Sequence, residues 1–540
     1  MESAFPSDTM ILFKFGVNDV AAKEALQKLV TFLPGDLNKG LLSVVAQWFI
    51  ESFPGADGPE EDFIGAIGED SGFMFGISGN IGAPSDPDMA LAMVVSDAGF
   101  IESFMKKSVL LGSGFAERYG IFKIYDGIDG NSFVAVYKDI VILTNGIESM
   151  HEVLDRLALG GKSLLSNAAY EKGLGLAVNS FAYVFVDPKI SKLSFDAAAN
   201  LSGLKDSNIG KLLDMLDGEF IAFSAEPTGI RLVGSVYGDP QKWEEVQKLF
   251  DLGKPSSYMF NTVPGDDVIF YLEGFNLKEA AKIVESVYSK TPEFSQMFPL
   301  LRIVLAANGL DLEKDVLSFM DKGFAIALYG GNSVIPGFGV FVDSSSNNPA
   351  AEKFMSIIFS RLGDVISNLQ SNADYAIFGI DKFLTHAAKS SKTGIDYGLI
   401  LDLEKMSALL GFDVYPAGMD LTRAELHYGV RSDNLAYFAL FNDFEKQAYT
   451  PLGQNETFLD ARKNIDGLDY HVGYFNIVSA LDYVDKVAGF DLQTSDPDLA
   501  EYALVRSYFA PFKSFIFGSM QNNSGEVEFQ GFLKIGPAGN

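Results

Sequence analysis

The feature that most constrains this chain is a repeat within it. Pro6-Ser7-Asp8-Thr9-Met10-Ile11-Leu12-Phe13 finds a counterpart in Pro264-Gly265-Asp266-Asp267-Val268-Ile269-Phe270-Tyr271. The same spacing sets Gly16 against Gly274, Asn18 against Asn276 and Ala22 against Ala280. In both copies a Pro-x-Asp turn opens an apolar strand, a Gly ends it, and an Asn stands where a helix N-cap would begin. Long-period self-similarity takes precedence over any local reading, because it dictates that one supersecondary unit is built twice.

Further segments follow in the same order. Gly72-Phe73-Met74-Phe75-Gly76-Ile77 corresponds to Gly323-Phe324-Ala325-Ile326-Ala327-Leu328, and Leu91 to Asp97 corresponds to Phe338 to Asp343. Tyr183-Val184-Phe185-Val186-Asp187 resembles Val472-Gly473-Tyr474-Phe475-Asn476, and Gly218 to Phe223 resembles Lys513 to Phe517. One copy reads as a strand from Met10 to Phe15, then amphipathic helices over Ala21 to Phe32 and Leu41 to Phe53. A hairpin-like pair and a helix near Phe100 to Leu111 follow. Next come alternating strands Tyr119 to Tyr125, Ser132 to Tyr137 and Ile140 to Thr144, and a helix from Ile147 to Leu157. Adjacent strands with short turns predict an α+β fold of two tandem repeats, each a mainly antiparallel sheet with helices packed on one face. The repeats are expected at residues 1–252 and 258–540, joined between Asp251 and Ser257 after a helix around Trp243 to Phe250.

Composition narrows the function classes. A chain of 540 residues exceeds what one core fills, which agrees with two modules. The formal charge of −30 repels phosphate backbones and argues against nucleic acid as a partner. With no Cys, disulfides, thiolate nucleophiles and thiolate metal sites are excluded. The 46 Phe against 2 Trp read as core residues, with a Phe-lined groove for an apolar ligand as the alternative. No apolar run reaches the roughly 18 to 20 residues a spanning helix needs. The abrupt start at Met1 leads to the expectation that a signal or anchor segment has been replaced.

The layout resembles an uncharacterised, domain-of-unknown-function family of exported or membrane-anchored bacterial proteins. Three runs carry the resemblance: Phe5-Pro6-Ser7-Asp8-Thr9, Val94-Val95-Ser96-Asp97, and Leu143-Thr144-Asn145-Gly146-Ile147-Glu148 leading through Leu164-Leu165-Ser166 to Tyr170. The resemblance implies an extracytoplasmic location and supplies no catalytic residues.

Candidate chemistry is sparse. Gly160-Gly161-Lys162-Ser163 ends like a phosphate-binding loop, but Arg156 stands where the first Gly is needed and a helix precedes it, so a helix C-cap is expected. In the turn Asp126 to Asn131, Asp126, Asp129 and Asn131 offer hard oxygens, a low-affinity Ca²⁺ site being the alternative to a plain hairpin. Glu60-Glu61-Asp62 reads as a solvated run. The four His, at 151, 386, 427 and 471, lack zinc spacing; His427 and His471 sit in strand-like segments and invite the thought of a distant pair. No Gly-x-Ser-x-Gly elbow occurs.

These features lead to the expectation of a non-enzymatic, extracytoplasmic interaction or structural protein without a cofactor. Its partners would be another protein or itself, with membrane anchoring supplied by a segment outside this chain. A carrier or sensor of an apolar ligand such as a lipid is the second reading, and a carboxylate- or metal-dependent hydrolase the third.

Overall fold

A computed structural model describes residues 1–16, 20–32, 65–66, 72–78, 88–109, 115–126, 132–188, 190, 216–238, 258–288, 296–330, 335–371, 379–391, 394–411, 423–440, 449–465, 471–488, 497–521 and 527–537. Contacts divide the chain into unit 1, residues 1–246 with 521–540, and unit 2, residues 247–520. Both mix helices with a large antiparallel sheet, an α+β fold.

Unit 1 contains β1 (Ile11–Phe15), β2 (Phe73–Ser78), β3 (Asp88–Val94), β4 (Phe115–Tyr119), β5 (Phe122–Asp126), β6 (Phe133–Tyr137), β7 (Ile140–Thr144), β8 (Ala182–Val186), β9 (Leu216–Glu226) and β10 (Gly229–Gly238). Every pairing is antiparallel, and the order is β10-β9-β8-β1-β2-β3-β7-β6-β5-β4. Its helices are α1 (Val20–Val30), α2 (Ala98–Val109), α3 (Ile147–Leu159) and α4 (Ala168–Gly173). Where one strand, Tyr119 to Tyr125, was expected there are two, because Gly120 takes a left-handed turn (φ 59°) and reverses the chain at Ile121.

Unit 2 contains β11 (Val268–Phe275), β12 (Gly323–Tyr329), β13 (Gly337–Asp343), β14 (Leu384–Ser391), β15 (Gly394–Asp402), β16 (Arg423–Arg431), β17 (Leu435–Leu440), β18 (His471–Asn476) and β19 (Phe512–Gln521). They run antiparallel in the order β19-β18-β11-β12-β13-β17-β16-β15-β14. Its helices are α5 (Leu277–Tyr288), α6 (Met297–Ala307), α7 (Asn348–Ser371), α8 (Leu403–Leu410), α9 (Glu456–Arg462), α10 (Ile477–Ala488) and α11 (Pro497–Phe509). Read from β9 to β4 and from β19 to β14, the two orders coincide strand for strand. The last strand, β20 (Val527–Ile535), pairs along β10 and its residues cluster with unit 1.

Smaller features coincide too. Pro6 bridges to Ser163, and Pro264 to Pro451. Asn167 caps α4 by accepting from the Ala169 and Tyr170 amides, while its Nδ2 donates to the Ser7 carbonyl at 3.3 Å. Asn455 caps α9 by accepting from the Thr457 and Phe458 amides, and its Nδ2 donates to the Gly265 carbonyl at 3.0 Å. Each Asn thus satisfies helix-end amides and ties the helix to the turn that opens the unit.

Helices cover both faces of each sheet, which corrects the expectation of one covered face. In β5 the residues alternate: Phe122 and Ile124 face the core under Met150, Val153 and Leu154 of α3, whereas Lys123 points the other way and pairs with Glu102 of α2 at 3.1 Å. In unit 2, Phe359 of α7 stacks on Tyr397, while Phe458 of α9 packs edge-on against Tyr271 and Tyr474 on the opposite face. Apolar residues stand on both sides of these strands, so neither face can be left to water.

Candidate functional site

The units differ most where α3 lies in unit 1. There Ile124, Ala135 and Ile142, aligned across β5, β6 and β7, are buried beneath α3. The matching register in unit 2 reads Asp396, Gly429 and Tyr437 across β15, β16 and β17. One step along, Asp126, Phe133 and Thr144 are matched by Gly398, His427 and Ala439. Only residues 441–451 stand between β17 and the turn at Leu452, fewer than the 13 residues of α3. An apolar patch under a helix in one unit is therefore a polar array in the other.

That array is tightly built. Tyr437 Oη donates to Asp396 Oδ1 at 2.7 Å, His427 Nδ1 lies 3.5 Å from Asp396 Oδ2, and His427 Nε2 lies 3.1 Å from Glu425 Oε2. His427 and Asp396 are each 1% exposed. Glu425 and His427 share a face because they are two apart on β16, and Gly398 and Gly429 leave room for the side chains beside them. Tyr437 and Glu425 meet Asp396 Oδ1 and His427 Nε2, while Asp396 Oδ2 and His427 Nδ1 face each other in an ion-pair contact without a hydrogen bond. A carboxylate thus stands against each ring nitrogen of His427. Such an arrangement ties three strands together.

A second buried acid sits on the central strand of unit 2. Glu273 is fully buried; its Oε2 accepts from Tyr271 Oη and, at 3.1 Å, from the Phe260 amide. Its Oε1 meets no hydrogen-bond partner. Burial raises its carboxyl to about 7, against the lowering pull of Tyr271, two backbone amides and Arg462. In unit 1, Lys14 occupies the same register position, since Leu12 and Lys14 pair with Phe185 and Tyr183 as Tyr271 and Glu273 pair with Tyr474 and Val472. Lys14 donates to Glu2 at 3.2 Å.

Among the described elements, α6 exposes the most large apolar side chains. Phe298, Arg302 and Leu305 turn inward, the Arg302 guanidinium meeting Glu285 and Glu313. Met297, Leu300, Leu301 and Val304, spaced three and four apart, line the outer side with Ile303 and are 41–64% exposed. Surface helices normally present polar residues outward, so this stripe is unusual.

Among residues singled out from sequence, Asp126 ends β5 with Oδ1 buried and without a hydrogen-bond partner. Asp129 and Asn131 lie outside the described residues, as do Glu60-Glu61-Asp62, the second helix of the first module and the join at 251–257. Gly160 is the C-cap of α3, its amide bonded to the Arg156 carbonyl at 3.1 Å. His427 and His471 are not brought together: they stand on opposite faces, with β11, β12, β13 and β17 between their strands. His151 stacks on Tyr119 at 4.0 Å and bonds Glu117, while His386 stacks on Phe359 at 4.1 Å, its charged form disfavoured by burial. No cluster of three His, Asp or Glu suited to a metal occurs among the described residues, and no described helix is long and apolar enough to cross a membrane. Sequence reasoning missed the Asp396–His427–Glu425–Tyr437 array; the Glu-x-His spacing on an alternating strand was its one local signal.

No curated protein matches the chain. Solved structures of TP0453 are similar at low level: crystal form III has 11% identity and a TM-score of 0.25, covering 46% of this chain and 85% of that one. Crystal form I has 12% identity and a TM-score of 0.24, covering 46% and 84%. Residues 76–372, more than half of the sequence, match the family described as "Protein of unknown function (DUF3352)", and the chain belongs to that family.

Proposed function

We propose that this chain is a non-enzymatic, extracytoplasmic interaction or structural protein, built as two tandem repeats of one module and meeting a protein partner through the outer stripe of α6. The stripe is the observation that carries the reading. Leu300, Leu301, Ile303 and Val304 keep 41–64% of their surface in water, and covering each on a partner would contribute on the order of 1 kcal/mol. Anchors at three- and four-residue spacing suit a helix laid into an apolar groove. The duplication is supported by the coincident strand orders and by the paired Asn167 and Asn455 caps. The acidic composition suits an extracytoplasmic setting.

The test is photo-cross-linking in native cells, with a photoreactive residue at Leu300 and a control at Glu148 on α3. A discrete protein adduct at Leu300 that is absent from the control and rebuilt with the purified partner supports the reading. Equal labelling at both sites, or none at either, sinks it.

The alternative of an apolar-ligand carrier draws on an aromatic stripe of unit 1, where half-buried Phe73 lies 5.8 Å from half-buried Phe13 and 5.6 Å from buried Phe15. Native mass spectrometry after gentle purification distinguishes it, a lipid-sized adduct favouring a carrier.

A further inference from the structure

Each unit carries, ahead of its central strand, a 3-10 turn fastened to that strand from the same register position, but by different chemistry. In unit 1 the turn Glu2–Ala4 is held by an ion pair, Lys14 Nζ to Glu2 Oε1 at 3.2 Å, partly open to water. In unit 2 the turn Met259–Asn261 is held by the Phe260 amide donating to Glu273 Oε2, deep in the core. We propose that Glu273 is a proton-dependent latch: protonated, it holds the opening turn of unit 2 in place, and its ionisation releases that turn while the turn of unit 1 stays fastened.

Geometry carries the inference. A carboxylate in a core needs its charge met on both oxygens, and here Oε1 has no hydrogen-bond partner. The neutral acid removes that demand while Oε2 still accepts from Tyr271 and Phe260. Against it lie Tyr271 on its own strand and Arg462 on α9, while Tyr329 on β12 and Tyr474 on β18 stand beside Tyr271, and Tyr258 beside the turn. Of these Arg462 alone is cationic, and its guanidinium lies over the Tyr258 and Phe260 rings at 5.9 and 5.5 Å. On the opposite face His471 bonds the Glu273 backbone, and α10 carries Asp482, Tyr483, Asp485 and Lys486, with Asp482 and Asp485 paired to Arg506. Lys14 in unit 1, by contrast, neutralises Glu2 directly, and Glu2 is held below the usual carboxylate range through a backbone bond and Lys14 despite its burial.

The sign follows from the raised carboxyl. A group that binds its proton more tightly when closed gives protection that is complete at low pH and lost as pH climbs through its closed-state value. With about 7 in the closed turn and an ordinary 4.5 in the open one, opening grows roughly 50- to 100-fold between pH 5 and pH 8.

Hydrogen exchange of the Phe260 amide, corrected for intrinsic rate, reads that opening on the full chain, with the Phe5 amide as the reference in unit 1. Expected is a fold-change of that size at Phe260, little at Phe5, and a flat profile at Phe260 in Glu273→Gln, which also separates Glu273 from His471. A flat wild-type profile, or the same rise in Glu273→Gln, overturns the latch. Should the variant fail to fold, infrared spectroscopy of wild-type protein with ¹³C-labelled glutamate decides. A protonated buried carboxyl band present at pH 5 and lost by pH 8 supports the latch, and absence of the band at pH 5 overturns it.

Discussion

Replacing Asn455 or Asn167 by Ala should cost the two units the same amount. Each Asn accepts from two amides at the start of a helix, at 3.0 and 3.2 Å for Asn455 and 3.0 and 3.1 Å for Asn167. Loss of such a cap costs about 1 kcal/mol. Each Nδ2 also donates to a carbonyl in the opening turn, at 3.0 Å to Gly265 and 3.3 Å to Ser7. A partly buried bond of this kind contributes about another 1 kcal/mol net. The caps hold helices whose inward aromatics, Phe458 and Tyr170, are fully buried, so the backbone cannot relax without disturbing the core. We therefore expect about 2 kcal/mol from each substitution, in its own unit. Hydrogen exchange in urea separates them, read at the amides each cap holds: Ala169 and Tyr170 in unit 1, Thr457 and Phe458 in unit 2. If one variant loses about 2 kcal/mol and the other less than about 0.5, beyond the usual scatter of distant surface changes, the two caps are not equivalent and their likeness does not reflect a shared build.

Two further outcomes follow from the site. Tyr437→Phe removes the donor to Asp396 Oδ1 and leaves a buried carboxylate oxygen unpaired, which should destabilise unit 2 by about 1–3 kcal/mol in chemical denaturation; no change would mean the array does not bind the strands together. The double change Ile303→Asp with Val304→Asp, made in the chain that carries the photoreactive residue at Leu300, alters only exposed positions, so unit 2 should keep its stability to within about 1 kcal/mol while the cross-linked adduct at α6 disappears. A large loss of stability would instead make the stripe part of the fold.

The architecture was legible where backbone rules leave marks in sequence. Pro-x-Asp turns and Gly-bounded apolar runs mark strand starts and ends in both units; of the two Asn read as helix caps, Asn276 accepts from the Glu279 amide at 3.1 Å and Asn18 lies outside the described residues. The alignment still slips by one residue inside β11. Constant spacing would set Leu272 against Lys14, whereas strand pairing sets Glu273 there, beyond a register shift between Val268 and Phe270. An irregularity of that kind leaves no mark in spacing alone.

The covered faces were not legible, because amphipathic periodicity gives each helix an inner side without saying which side of the sheet receives it. Nor was the polar array. Asp396, Glu425, His427 and Tyr437 come from three strands, and only the pairing of β15, β16 and β17 brings them onto one face. The stripe of α6 could have been noticed, since Met297 to Ala307 carries a single charge in eleven residues, but composition alone does not separate a buried helix from an exposed one.

The central claim is that the two sheets share one strand order, and its most telling pairing joins strands distant in sequence: β3 with β7, and β13 with β17. The chain has no Cys, so introduced pairs meet no competing thiol. Val94→Cys with Ile140→Cys, and Asp343→Cys with Leu435→Cys, occupy matching cross-strand positions and should both form disulfides readily under mild oxidation. Efficient closure in one unit and none in the other would contradict the account.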